Sequence, residues 1–238
     1  CRVILDEIER VENRKMAYLG HVTGTLHVSV VSTGKYVMPF FFSEFMEKYP
    51  GIQLNMDVTN KSNVVRSIEK NDVDFALVSV LPKGFAIEQI KLMKNQLFLV
   101  GKKGKSSNIS IGSPKDLEGV TLLFRENGSA TRMAMEAYLK KQKVQVNRSM
   151  ELTSNEAVKQ AVLAGLGYSI MPIIGIMNEL KNEELEIIDL YELPLVSDWN
   201  LIWLKSKSLS PAAAAYLEYV EEKKEEIIQR HFSWYAAY

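Results

Sequence analysis

The sequence predicts an α/β protein with largely parallel sheets, built as two similar lobes. Three observations carry that expectation. Short apolar runs with strand character alternate with segments of helical periodicity along nearly the whole chain. Three polar turns, Ser32-Thr33-Gly34, Thr59-Asn60-Lys61-Ser62 and the stretch 125–131, stand where a strand ends and a helix begins. A Gly/Lys/Ser stretch at 101–108 and a return near Trp199 divide the chain into an interrupted first lobe and a continuous second one.

Bulk composition narrows the function classes. With 238 residues, 47% hydrophobic and 24% charged, the chain is of ordinary globular composition and can bury one large core or two modest ones. Its 29 basic and 29 acidic residues balance, which argues against a nucleic-acid-binding module within this stretch. The longest apolar runs, such as 37–42, are far shorter than a membrane span. The single cysteine, Cys1, allows neither an internal disulfide nor a thiolate metal site. His21, His27 and His231 are too scattered to suggest a ligand cluster, so no metal and no cofactor is expected.

The elements follow in order. Residues 2–18 read as a charged amphipathic helix, with Val3, Ile4, Ile8 and Val11 at helical spacing. Residues 26–31 form a strand. Ser32-Thr33-Gly34 is a turn and a helix cap, and the helix behind it runs to Tyr49 with Pro39 near its first turn. Residues 52–58 alternate as a half-buried strand, a polar loop caps a helix at 64–70, and the apolar run 73–80 suits the centre of a parallel sheet. Strands are expected at 87–93 and 96–100, then a short helix opened by Ser113-Pro114, then a strand at 120–124. A helix at 132–141, a strand at 146–152 and a helix at 156–164 capped by Ser154 or Asn155 come next, closed by Gly165-Leu166-Gly167. A strand at 168–172, a helix at 174–180, strands at 185–190 and 200–204, and a final helix from Ser210-Pro211 to about Arg230 complete the chain.

The most informative stretch is Arg125-Glu126-Asn127-Gly128-Ser129-Ala130-Thr131-Arg132. A strand breaks there at a Gly-Ser-Ala-Thr turn and restarts as a helix. Unpaired first-turn amides and the positive end of the helix dipole favour a carboxylate, phosphate or sulfate at such a place. Arg125 and Arg132 could each grip an anion in bidentate fashion; they could equally pair with Glu126, Glu136 or Glu156. Since ligands of open α/β sheets collect at the carboxyl ends of strands, Ser32, Thr33, Asn60, Ser79 and Thr153 join Arg125, Gly128, Ser129, Thr131 and Arg132 as candidate contacts. Ser and Thr in such turns also serve simply as helix caps. The glycines at 165 and 167 are read as a C-cap and a close-packing site. Phe40-Phe41-Phe42 with Phe45 and Met46 makes a helix apolar on more than one face, which suggests a surface for a second copy or a deeply buried helix. The aromatic segment Phe232-Ser233-Trp234-Tyr235 and Tyr238 has no evident role. There is no Gly-x-Ser-x-Gly elbow, no His-Glu-x-x-His and no Walker loop, and acid–base chemistry has few candidates.

The order of motifs resembles the effector-binding domain of LysR-type transcriptional regulators. Gly24-Thr25-Leu26-His27-Val28 resembles the family's "G-x-L-x-(I/V)" entry strand. Met38-Pro39 through Phe45, with Tyr49-Pro50-Gly51-Ile52, resembles "L-P…F…Y-P-x-(V/I)". Asp72-Val73-Asp74-Phe75-Ala76-Leu77 resembles "G-x-(L/V)-D-(L/F)-A-(I/L)". Val162 with the run from Gly165 to Pro172 resembles "V-x-x-G-x-G-(I/Y)-(A/S)-x-x-P". The stretch from Arg125 to Arg132 resembles the "R-E-x-G-S-G-T-R" loop of the branch that includes carbon-fixation and cysteine regulators. Two departures stand out: Ala130 replaces a Gly of the anion loop, and Asn71 replaces a common Gly before Asp72.

The resemblance implies two Rossmann-like lobes of the periplasmic-binding-protein type 2 kind with a ligand cleft between them. Residues 1–18 would be the end of a linker helix, 19–101 plus 199–238 regulatory lobe I, and 102–198 regulatory lobe II. It implies a small, anionic effector, a homodimer or homotetramer, a cytoplasmic location, DNA contact only through an N-terminal winged helix-turn-helix outside this sequence, and no membrane partner. The competing reading is an extracytoplasmic solute-binding lipoprotein of an ABC-type transporter, anchored at Cys1. An enzyme on the same scaffold comes third.

Overall fold

The computed structural model describes residues 22–104 and 111–238. The helix expected at 2–18 and residues 105–108 of the 101–108 stretch lie outside the described residues. The chain divides into two compact units. Among described residues the first comprises 22–59, Asn63–Met93 and Asn200–Tyr238; the second comprises Asn60–Ser62 and Lys94–Trp199 without 105–110.

In the first unit β1 (Gly24–Val31) lies between two parallel neighbours. On one side β2 (Ile52–Thr59) pairs along its whole length, Gly24 opposite Ile52 and Val31 opposite Thr59. On the other, β3 (Phe75–Val78) sets Val28 opposite Phe75, and all four of its residues are buried. The later residues of β9 (Leu195–Leu204) run antiparallel to β3, Ala76 opposite Ile202. The sheet is therefore mixed rather than largely parallel. Helices α1 (Met38–Lys48), α2 (Lys61–Glu69) and α6 (Pro211–Phe232) belong to this fold, Ser210 Oγ capping α6 by accepting the Ala213 N–H at 3.2 Å. The core is aromatic: Tyr216 of α6 stacks on Phe42 (centroids 4.8 Å apart) and meets Phe45 and Phe75 edge-on.

A half-buried polar clamp closes the start of β3. Asp74 accepts the His27 N–H at 2.9 Å and faces Lys207 Nζ at 3.3 Å, while Lys207 donates to Asn71 Oδ1 and Val73 O, each at 2.9 Å. Asn71 has φ +57°, in the left-handed region that asparagine tolerates. This accounts for the departure from glycine there: the turn needs positive φ, and the amide side chain adds a hydrogen bond.

In the second unit β5 (Thr121–Arg125) pairs parallel with β6 (Arg148–Leu152), Thr121 opposite Arg148. The later part of β4 (Ile87–Lys102) pairs antiparallel with β7 (Ser169–Pro172) and β8 (Leu185–Ile188). Helices α3 (Ala130–Lys141), α4 (Asn155–Leu163) and the short α5 (Met177–Lys181) complete it. Its core joins Leu97, Leu99, Leu122, Phe124, Met135, Tyr138, Tyr168 and Ile170.

Boundaries differ from expectation for local reasons. The strands expected at 87–93 and 96–100 are one strand, because Lys94-Asn95 does not break it: Asn95 is buried and donates to Ser197 Oγ at 3.2 Å. Helix α2 starts at Lys61 rather than Val64, its polar first turn steadied by Asn63 Nδ2 donating to Thr59 Oγ1 at 3.0 Å. The helix expected at 174–180 is split into a 3-10 turn (Ile173–Gly175) and α5. The glycines at 165 and 167 act as read: Gly165 has φ +76°, and a Cβ on Gly167 would lie 2.3 Å from the Thr121 carbonyl oxygen.

Gly167→Ala is expected to destabilise the chain by about 1–3 kcal/mol, read as a lowered urea midpoint. Gly112→Ala, where a Cβ meets nothing within 4 Å, is the control and should shift stability by less than about 0.5 kcal/mol. A second expectation concerns the 3-10 turn Pro114–Gly119, where Asp116 accepts the Ser113 N–H (2.7 Å), the Gly112 N–H (3.0 Å) and the Ser113 hydroxyl (3.0 Å). These bonds, the Ser113 amide foremost, hold its carboxyl below the usual range. A depressed folded pKa stabilises above the unfolded value, and the effect is lost as pH falls through the folded one. Thermal midpoints of wild type and Asp116→Asn should therefore differ at neutral pH and converge in acid.

Candidate functional site

Each unit gathers its candidate residues at the carboxyl edge of its parallel strands. In the first, Ser32 and Thr33 follow β1 and Ser79 follows the adjacent β3. In the second, residues 125–131 follow β5 and Thr153 follows the adjacent β6.

The strand-to-helix turn after β5 is the better-built of the two. Gly128 takes φ +88°, which turns the chain sharply. Ser129 is the N-cap of α3 in extended conformation, and its buried Oγ accepts the Arg132 N–H at 3.4 Å. The amides of Ala130 and Thr131, the first two helical residues, have no acceptor within the helix. Together with the dipole of α3 they form a positive mouth without a full charge. Ala130 has ordinary helical geometry, so the position does not demand glycine here. The segment Asn60–Ser62 groups with this unit: the Ser62 N–H donates to Gly128 O at 3.3 Å. A Cβ on Gly128 would fall 2.7 Å from Ser62 Oγ and 3.5 Å from Asn60 Oδ1. Two candidate residues, Asn60 and Gly128, thus meet.

Both arginines are engaged by glutamates. The Arg125 side chain is 4% exposed and forms a two-point pair with Glu126, Nε to Oε2 at 2.8 Å and Nη2 to Oε1 at 2.9 Å. Arg132 pairs with Glu136 (2.7 Å) and with Glu151 of β6, donates to Arg125 O at 2.8 Å, and lies over the Phe124 ring. Its hydrogen bonds to these two carboxylates, Glu136 first, raise its pKa further. The Arg132 guanidinium belongs to a groove of about 410 Å3 lined also by Phe124, Leu139, Val144 and Met150. Arg132 thus also reaches Glu151, across the β5–β6 pair, a glutamate the sequence reading did not offer.

Other candidates are placed as follows. Thr33 is buried and precedes a 3-10 turn (Gly34–Tyr36); its hydroxyl makes no capping bond, and its carbonyl accepts the Tyr36 N–H at 3.2 Å. The expected cap is thus corrected: the 3-10 turn intervenes and α1 starts only at Met38. Ser32 and Ser79 are half-buried. Gly34 is pressed onto β3, where a Cβ would sit 2.8 Å from Leu77 Cδ2. Thr153 is exposed, and its neighbour Ser154 caps α4 through the Ala157 N–H at 3.0 Å. Sequence reasoning passed over Ser62, because α2 was expected to begin two residues after it. Starting at Lys61, the helix places the Ser62 amide in its first turn, where it is available to Gly128.

The family model described as the LysR substrate binding domain matches residues 19–225. A RuBisCO operon transcriptional regulator of Allochromatium vinosum is 33% identical over 221 residues, covering 92% of this chain and 73% of that protein. The HTH-type transcriptional activator CmpR of Synechocystis sp. is 33% identical over 201 residues, covering 83% of this chain and 65% of that one. Among solved structures, the Synechocystis PCC6803 CcmR regulatory domain in complex with 2-PG superimposes with a TM-score of 0.79 at 30% identity, covering 85% of this chain and 98% of that chain. The effector binding domain of QuiR in complex with shikimate shares the fold, with a TM-score of 0.73 at 17% identity over 86% of this chain and 98% of that one. The two sequence relatives are transcriptional regulators, not enzymes, where the competing reading expected a transporter lipoprotein.

The cap at α3 yields a direct expectation. Ser129→Ala should lower stability by about 1 kcal/mol, and Ser129→Gly by only a few tenths, measured as urea midpoints at constant m. Equal losses would show that the hydroxyl is not capping.

Proposed function

As a member of the LysR substrate-binding-domain family, this chain is an effector-binding regulatory domain, and we propose that its effector is a small organic anion received by the turn between β5 and α3. The observation that carries this reading is the N-terminus of α3. There the Ala130 and Thr131 amides have no helical acceptor, the Thr131 hydroxyl is half-buried, and Gly128 lets the backbone come close. The positive potential comes from backbone dipoles, since Arg125 and Arg132 are each paired with glutamate. Arg125 then acts as a brace that holds the end of β5, and Arg132 ties α3 to β6.

In the first unit Ser32, Thr33 and Ser79 supply the effector's remaining polar contacts, with Asn60 beside Gly128. Thr153 extends the polar edge next to β6. That the CcmR regulatory domain is in complex with 2-PG supports an anionic effector for this chain also. The effector acts by population shift: it favours one arrangement of the chain by its difference in affinity between two, and tight binding alone shifts nothing. A homodimer or homotetramer passes that shift to winged helix-turn-helix domains of the whole regulator, which contact DNA in the cytoplasm.

Calorimetric titration with 2-PG, sulfate and a panel of small organic acids tests the site. At least one anion should bind wild type, and Thr131→Val and Ser32→Ala should each weaken it roughly tenfold, the loss of a hydrogen bond to a charged group at about 1.5 kcal/mol. Equal affinity in wild type and in a Ser129→Ala/Thr131→Ala variant would exclude the α3 turn. Sedimentation with and without the bound anion reads the oligomeric step.

A further inference from the structure

Helix α6 continues past residue 225, where the family match ends, to Phe232, and a 3-10 turn (Ser233–Ala237) follows. This added stretch lies on α1. Ile227 and Phe232 are buried, each 4% exposed. The His231 ring lies 4.8 Å from that of Phe40, and Phe232 meets Phe40 edge-on at 5.3 Å. Arg230 bridges Glu44 of α1 and Glu226 of its own helix. Residues 227, 230 and 231 share one face of α6, and residues 40 and 44 share one face of α1, so two helical stripes meet. Among the phenylalanines of α1, Phe40 is the one that the core does not take. Met38, Phe41 and Phe45 have no exposure, whereas Phe40 keeps 41%.

The turn that Phe40 opens is tied to the Ser32–Thr33 loop by consecutive backbone bonds. The Phe40 N–H donates to Val37 O (3.2 Å), the Val37 N–H to Gly34 O (3.0 Å) and the Tyr36 N–H to Thr33 O (3.2 Å). From within, this stretch rests on Leu77 through Gly34 and on buried Val37. From outside, the ring pair His231 and Phe232 packs on Phe40. We propose that His231 and Phe232 are positioning residues for effector binding: they clamp Phe40 and thereby set the geometry of the Ser32–Thr33 loop. The proposal rests on the reading that this loop contacts the effector. It also gives the added aromatic stretch a role, as an outer brace on a loop whose inner brace is the β3 side of the core. A partner that draws residues 226–232 away from α1 would loosen the loop and weaken the response.

The test uses the full chain with His231→Ala/Phe232→Ala, a conservative Phe232→Tyr variant, and Ser32→Ala. Hydrogen exchange is followed at the amides of Tyr36, Val37 and Phe40, with the β3 amides as internal reference, and affinity is measured for whichever probe anion, 2-PG or sulfate, binds wild type. The double variant should exchange at least tenfold faster at those three amides with β3 unchanged, and should bind the anion at least fivefold more weakly; Phe232→Tyr should restore both. Unchanged exchange at the three amides overturns the clamp whether or not any anion binds. Faster exchange with unchanged affinity overturns the coupling to the site. Should no probe anion bind wild type, the effector reading fails instead, and exchange alone decides the clamp.

Discussion

A parallel pair of strands cannot be closed by a tight turn; the chain has to travel back over the sheet, usually as a helix. In this molecule β1 pairs parallel with β2 and β3, and β5 with β6. The carboxyl ends of β1, β2, β5 and β6 therefore deliver the chain to a turn and a helix on one edge of their unit. Unpaired amides and positive helix ends accumulate there without any charged side chain being recruited. The strands β7 and β8 pair antiparallel with β4, and the later part of β9 with β3, and so build the sheets. In the proposed site, topology decides where an anion is received and residues 128–131 decide how.

That division explains the arginines. A guanidinium exposed at the mouth would attract anions from far off but discriminate poorly among them. Here Arg125 is buried against Glu126, and Arg132 is shared between Glu136 and Glu151. Breaking such a pair to serve a ligand would leave a carboxylate unpaired at a partly buried place, which costs more than a surface ion pair gains. The charges thus stiffen the frame around the mouth, and in the proposed site the amides with Thr131 are left to read the ligand's shape. Selectivity built on amide directions depends on keeping the turn rigid, which is what the Ser129 cap, the Gly128–Ser62 bond and the buried Arg125 accomplish together.

Much of this was legible beforehand, and the failures have local causes. The α/β alternation, the strand at 120–124, the helix after Ser129 and the glycine roles at 165 and 167 follow from patterns a single segment carries. Misjudged features depend on partners far along the chain. Asn95 looks like a strand breaker until Ser197 accepts its amide. Thr33 looks like a cap until the 3-10 turn interposes itself. Glu151 could not be chosen over Glu156 for Arg132 without knowing that β5 pairs with β6, which sets Phe124 opposite Glu151. Ser62 was missed through an error of a few residues in a helix start, the least certain quantity in any reading by periodicity. Phe40, in a helix expected to offer a surface for a second copy or to be deeply buried, is half covered by the chain's own residues 231 and 232, a packing that periodicity does not reveal.

The two departures from the family pattern have separate physical meanings. Asn71 keeps the conformation that glycine provides and adds a bond to Lys207, so it conserves the fold by other means. Ala130 changes the mouth itself. A methyl group at the first helical residue narrows the approach to the Ala130 and Thr131 amides, while its helical backbone avoids the entropy that glycine loses on folding. The turn is therefore stiffer and tighter than one with glycine at that position. A stiff mouth favours a compact anionic head whose oxygens match two adjacent amides, and disfavours bulk at the atom that bears them. Family membership identifies the class of sensor; under the proposed site the choice of effector falls to residues 128–131, where a single added methyl is large compared with the tolerance of a hydrogen bond.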